Sequence, residues 1–189
     1  MDFPTIIHLA IGILGAIVSG LAWWTEGPVW VSGAVVFSLN VYLLAVLFEA
    51  ALRAGQDRTI SNGIVQAKPW VMFEFQQRGW SIAQVVLLFF IAVSGFANMY
   101  LQDGGVIYNG PPLKAAQGVA DEKPQSDHPP LSDRLDATYF SMVTITTLGY
   151  GDFVPTTEWS RKLVMWELGT GIELLVGIFS LLVARIADF

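Results

Sequence analysis

The chain contains no cysteine and only two histidines among its 189 residues. No disulfide therefore holds it together. The histidines, His8 and His128, lie in distant segments and do not make a catalytic pair. HExxH, GxSxG and Walker A motifs are all absent, so no membrane-enzyme chemistry is encoded. Charge is scarce as well. Only 14% of residues are charged and 53% are hydrophobic, whereas soluble domains carry about a quarter charged residues. Neither Phe3–Trp24 nor Gly27–Phe48 contains a Lys or Arg. A voltage-sensing helix needs several basic residues at three-residue spacing, so neither segment is one. No internal repeat with matching interrupted helices is visible, which argues against a secondary transporter.

What is present is apolar length. The mean hydropathy is +0.53, and four windows run nearly free of charge: Phe3–Trp24, Gly27–Phe48, Gly79–Gln102 and Leu163–Ala184. At about 1.5 Å rise per residue, each reaches roughly the 30 Å of a hydrocarbon core. Trp23, Trp24, Trp30, Trp80 and Tyr100 fall near window ends, as interfacial anchors do. Gly12, Ala16 and Gly20 share one face and read as a packing seam. The expected fold is an all-α membrane protein with four transmembrane helices. Met1-Asp2-Phe3 lacks a positive leader region, so no cleavable signal is expected.

A fifth apolar stretch, Leu135–Thr147, is too short to span. It hands over to Thr146-Thr147-Leu148-Gly149-Tyr150-Gly151-Asp152. Ser132 and Asp133 are candidate N-caps, after Pro129 and Pro130. A short helix that leads into non-helical backbone inside a membrane is a re-entrant element. This T-x-G-Y-G-D string, with its flanking helices, resembles the selectivity filter and pore module of potassium channels. The resemblance covers Gly79 to the C-terminus. A dehydrated cation needs oxygen ligands in place of water, so successive carbonyls must face one axis. Gly149 and Gly151 permit the positive φ that turns them. The resemblance implies K+ at Thr147, Leu148, Gly149 and Tyr150, the filter running to Gly151. Tyr150 would brace the segment, supported by Asp152, Tyr139 and Glu167. The pore helix would aim its negative C-terminal dipole at the axis.

One filter string per chain implies a homotetramer around a four-fold axis. The family's orientation puts residues 103–133 outside and 53–78 in the cytoplasm. Basic residues do not decide this, being almost evenly divided between the two sides. The organisation expected is an N-terminal helix pair at 1–54, then a cytoplasmic loop at 55–78 with an interfacial helix near residues 69–80. A pore domain follows at 79–189: outer helix 79–102, loop 103–133, pore helix 134–146, filter 147–152, inner helix 161–187. The outer segments are acidic, with Asp103, Asp121, Glu122, Asp127, Asp133, Asp136, Asp152 and Glu158.

On the inner helix, Gly169-Thr170-Gly171 resembles the family's hinge, with Gly171 at the hinge position. The alternative is close packing of small residues against the outer helix. Ile172, Leu175, Phe179 and Val183 form one stripe, placed by the resemblance on the cavity and gate. Glu167 lies roughly 140° from that stripe, facing the re-entrant helix, and Glu173 on its flank. Val143 stands where many bacterial relatives keep a Glu, and Leu148 replaces the commoner Val or Ile. Glu167 is therefore expected to brace the filter by hydrogen-bonding the re-entrant helix at Thr144 or Tyr139. The implied function is passive, potassium-selective conduction across a plasma membrane (the inner membrane in a bacterium). K+ and the lipid bilayer are the partners, with no cofactor, no nucleic acid and no enzymatic activity. The alternatives are a weakly selective cation channel on the same fold and, further off, a transporter subunit.

Overall fold

The computed structural model describes residues 3–60, 78–109 and 130–187. It is mostly helical. Helix α1 is Phe3–Thr25, α2 Val29–Ile60, α3 Arg78–Asp103, α4 Arg134–Ile145 and α5 Glu158–Ala187. Two short strands, β1 at Val106–Tyr108 and β2 at Phe153–Pro155, lie between them. Residues 69–77 of the interfacial segment and 110–129 of the loop lie outside the described residues. Among the described residues one stretch, Gln84–Asp103, is by itself long and apolar enough to cross a membrane, and the shorter apolar stretches Ile11–Thr25 and Val29–Ala45 accompany it.

Helix α3 is the centre, touching α1, α2, α4 and α5. Every residue from Ile91 to Tyr100 is buried. Its small and polar residues meet the N-terminal pair. Ser19 Oγ lies 2.7 Å from Ser94 Oγ and donates to the Ile91 carbonyl at 3.1 Å. Asn98 Nδ2 donates to Ser32 Oγ at 2.8 Å and to the Gly27 carbonyl at 3.0 Å. Gly95 lets α2 approach, since a Cβ there would lie 2.5 Å from Val36 Cγ2. On α1, Gly12 and Gly20 face Leu87 and Phe90 of α3, so the seam seats α1 on α3. Phe96 and Tyr100 of α3 turn the other way. Phe96 meets Trp166 edge-on at 5.5 Å, and Tyr100 meets Phe140 at 4.8 Å. Such aromatic pairs add about 0.5–1.5 kcal/mol beyond the area they bury.

Three features differ from the sequence reading. Helix α2 continues to Ile60, past residue 54, because Ala50, Ala51, Leu52, Arg53 and Ala54 are strong helix formers. Helix α5 starts at Glu158 rather than 161. There Thr157 Oγ1 accepts from the Ser160 N–H at 3.0 Å, and Ser160 Oγ accepts from the Thr157 N–H at 3.1 Å. This is a reciprocal cap of the capping-box kind, with Ser in the place of Glu. Finally, β1 and β2 pair antiparallel, with Val106 opposite Pro155, Ile107 opposite Val154 and Tyr108 opposite Phe153. Three-residue strands leave too little periodicity to be read from sequence.

The Gly95 contact is testable. Gly95→Leu should force α2 off α3 and cost about 1–3 kcal/mol of stability by overpacking. The expected outcome is a lowered thermal midpoint of the detergent-solubilised protein.

Candidate functional site

The site is built from α4, the string that follows it, and the helices that hold both. Asp133 is the N-cap of α4 by backbone geometry but makes no side-chain cap bond. Arg134, the first residue of α4, is fixed instead by the α1–α2 turn. Its Nη2 lies 2.8 Å from Glu26 Oε1, and its guanidinium lies over the Trp24 ring at 5.9 Å. Glu26 adopts φ 53°, and the Gly27 N–H closes on the Ala22 carbonyl at 2.7 Å. That is a Schellman end with a side-chain-bearing residue in the left-handed position.

The other end of α4 closes the same way. The Leu148 N–H bonds the Val143 carbonyl at 3.0 Å, and the Thr147 N–H bonds that of Thr144 at 2.9 Å. Thr147 takes the left-handed place with φ 59°. A β-branched residue there costs roughly 1–2 kcal/mol. The conformation then alternates along the string. φ is positive at Thr147 (59°), Gly149 (54°) and Gly151 (78°), and not at Leu148 or Tyr150. In a β-strand all residues share one hand and successive carbonyls point to opposite sides. Alternating the hand cancels that reversal and brings the carbonyls to one side. The two glycines make alternation cheap at their positions. The sequence accounted for these glycines but not for the left-handed Thr147.

Asp152 pins the far end of the string. Its Oδ2 accepts from Tyr139 Oη at 2.7 Å, and its Oδ1 accepts from the Phe153 N–H at 3.1 Å. Its carbonyl accepts from the Asn109 N–H at 2.6 Å. The hydrogen bond to Asp152 pushes the Tyr139 pKa up to about 12, with burial second. The Tyr150 ring stacks on Tyr139 at 6.5 Å and 13° between planes. Asp136 sits one turn above, its carboxyl held above the usual range by burial and then by Asp133 and Asp152.

Glu167 is fully buried, at 0% exposure. Its Oε2 accepts from Tyr100 Oη of α3 at 2.7 Å, and its Oε1 accepts from Ser141 Oγ of α4. Ser141 Oγ also lies 3.2 Å from the Val93 carbonyl. The partner on α4 is thus Ser141, not Thr144 or Tyr139. Tyr139 is already engaged with Asp152 on another face of α4. The sequence offered no signal for Ser141, one of several hydroxyls on α4 beside Thr138, Tyr139 and Thr144, and none for Tyr100, which read as an interfacial anchor.

Gly171 packs against the end of α4 rather than the outer helix. A Cβ there would lie 2.6 Å from the Ile145 carbonyl oxygen and 3.2 Å from its Cγ1. Ile172, Leu175 and Phe179 are exposed on α5, as are Met165, Leu148 and Tyr150. The side chain of Val183 lies outside the described residues. Among the described residues no group of acidic and histidine side chains is placed to hold a metal ion.

The family model described as "Ion channel" matches residues 96–188. Relatives match a shorter stretch. A protein named "Probable potassium channel protein 2" from Methanocaldococcus jannaschii is 43% identical over 56 residues, 30% of this chain and 16% of that protein. "Two-pore potassium channel 4" of Arabidopsis thaliana is 38% identical over 52 residues, 28% of this chain and 18% of that protein. "Two pore potassium channel a" of Oryza sativa subsp. japonica is 38% identical over 55 residues, 29% and 15% of the two chains. The chain therefore spans less than a fifth of the length of each of these curated relatives.

The Glu167 contacts generate a stability test. Glu167→Ala leaves the buried Tyr100 hydroxyl without its acceptor and Ser141 with the Val93 carbonyl alone, and should cost about 1–3 kcal/mol. Glu167→Gln offers Tyr100 an acceptor and Ser141 a donor, and Ser141 can then turn to Val93. Thermal unfolding in detergent should show a large drop for Ala and near-parental behaviour for Gln.

Proposed function

We propose, for a chain whose residues 96–188 match the ion channel family and which resembles potassium channels over a shorter stretch, that it conducts K+ selectively and passively across a membrane. The observation that carries this reading is the alternating hand of the backbone from Thr147 to Gly151, directly continuous with the pore helix. Such a segment offers the carbonyls of Thr147, Leu148, Gly149 and Tyr150, with the Thr147 hydroxyl, as a ladder of oxygens replacing the hydration shell. No further cofactor is needed. The re-entrant α4 contributes its negative end.

Four copies close the ring, each supplying one filter strand. Exposure of Leu148, Met165, Ile172, Leu175 and Phe179 in the isolated chain supports assembly, because the same residues are covered or line a cavity in a tetramer. Helices α1, α2, α3 and α5 cross the bilayer of a plasma membrane with the Asp152 end outward. Ile172, Leu175, Phe179 and Val183 line the cavity and its inner constriction. Gly171 is where α5 flexes, rolling on the Ile145 carbonyl that its missing Cβ admits. Tyr139, Asp152 and Glu167 brace the filter from outside and behind.

In asymmetric KCl and NaCl, purified protein in planar bilayers should reverse near the potassium equilibrium potential. A reversal near zero under biionic conditions would replace this reading with a weakly selective cation channel. Opening should also depend little on voltage through helix charge, because neither N-terminal helix carries a basic stripe. Several gating charges per channel that persist when the permeant ion is changed would contradict that.

A further inference from the structure

We infer that α2, which lies outside the matched pore module, controls the inner helix through a switchable polar tie between Asn40 and Thr170. This rests on the channel reading, and it gives the N-terminal helix pair a task which that reading leaves open. Asn40 is held in place by its own helix, its Nδ2 donating to the Val36 carbonyl at 2.7 Å. Its Oδ1 faces α5 and accepts from Thr170 Oγ1 at 3.0 Å. Thr170 is fully buried and stands between Gly169 and Gly171, the stretch of α5 that packs on the end of α4 and that the channel reading takes as its hinge.

The tie has two settings because the Thr170 hydroxyl carries one hydrogen and has two acceptors. Besides Asn40, the Trp166 carbonyl of its own helix lies 3.1 Å away. Turning the hydroxyl to Trp166 keeps Thr170 satisfied, so α5 can leave α2 without stranding a donor. A hydrophobic contact offers no such exchange. One turn along α5, Glu173 has its Oε2 sealed from solvent with no hydrogen-bond partner among the described residues. An unsatisfied buried acceptor disfavours the arrangement in which it occurs. In the present arrangement Thr170 therefore holds α5 to α2, while Glu173 favours its departure. The α1–α2 turn is itself anchored to the pore through Glu26 and Arg134, which gives α2 a fixed point to hold against.

Opposite signs make the test decisive without knowing which conducting state this arrangement represents. In single-channel recordings, Thr170→Val and Asn40→Leu should shift the open–closed equilibrium in the same direction by about 3-fold or more, the span a single hydrogen bond commands. Unitary conductance and reversal potential should be unchanged. The double variant should shift no further than either single one, and Thr170→Ser, which keeps the hydroxyl, should behave like the parent. Glu173→Leu should shift the equilibrium the other way. Amide exchange across residues 171–179 of the reconstituted protein gives a second readout, faster in Thr170→Val and slower in Glu173→Leu. That readout does not require current, so a parent without potassium conductance would end the channel reading while the exchange data still decide the tie. Unchanged gating and exchange in Thr170→Val and Asn40→Leu would overturn the inference. So would additive effects, or a Glu173→Leu shift in the same direction.

Discussion

The carboxyl of Glu167 is the constraint on which the packing of α3, α4 and α5 depends. A carboxyl removed from water is tolerable only with hydrogen-bond partners. Here the two partners come from two different helices, Tyr100 of α3 and Ser141 of α4. A single group on α5 therefore fixes the mutual register of all three helices. A slip of one turn along any of them would leave a buried oxygen or hydroxyl unpaired. The aromatic contacts of Phe96 with Trp166 and Tyr100 with Phe140 then fill space in a frame already set. With that frame in place, the end of α4 arrives against Gly171 and the string from Thr147 onward starts from a defined point.

The N-terminal pair is joined to this frame by polar contacts as well as by close packing. Ser19, Ser32 and Asn98 bind α1 and α2 to α3, and Gly95 removes the side chain that would keep them apart. In an apolar surrounding, helices gain little from hydrophobic burial against one another, so small residues and hydrogen bonds set the association. The matched family stretch begins at residue 96, and the helices before it are added to α3 by this chemistry.

Much of the architecture was legible because it depends on local patterns. Apolar runs separated by glycine, proline and charge located the long helices. The phase of Glu167 relative to Ile172 pointed it at the re-entrant helix, and Gly149 and Gly151 announced left-handed backbone. What was not legible depended on which side chains meet. Ser141 and Tyr100 are 41 positions apart by their residue numbers, and nothing local marks either as a partner of a carboxylate. Thr147 is left-handed because helix closure leaves it in the position glycine usually fills, a demand of the junction rather than of the residue. Nothing local pairs Arg134 with Glu26, which lies 108 positions earlier in the α1–α2 turn.

The short sheet has a consequence for how the outer surface can vary. β1 is held on one side by β2, and on the other by Pro130 opposite Ile107 and the Leu131 N–H bonded to the Val106 carbonyl. The chain thus leaves at Asn109 and returns at Pro130 on the same small platform, beside the end of the filter string. Closing a flexible excursion between fixed ends costs only about 0.6 kcal/mol for each doubling of its length. Whatever lies between those two residues can be lengthened, shortened or rewritten with little mechanical effect on Asp152. The surface beside Asp152 therefore has a place where new recognition chemistry can evolve while the backbone from Thr147 to Gly151 keeps its form.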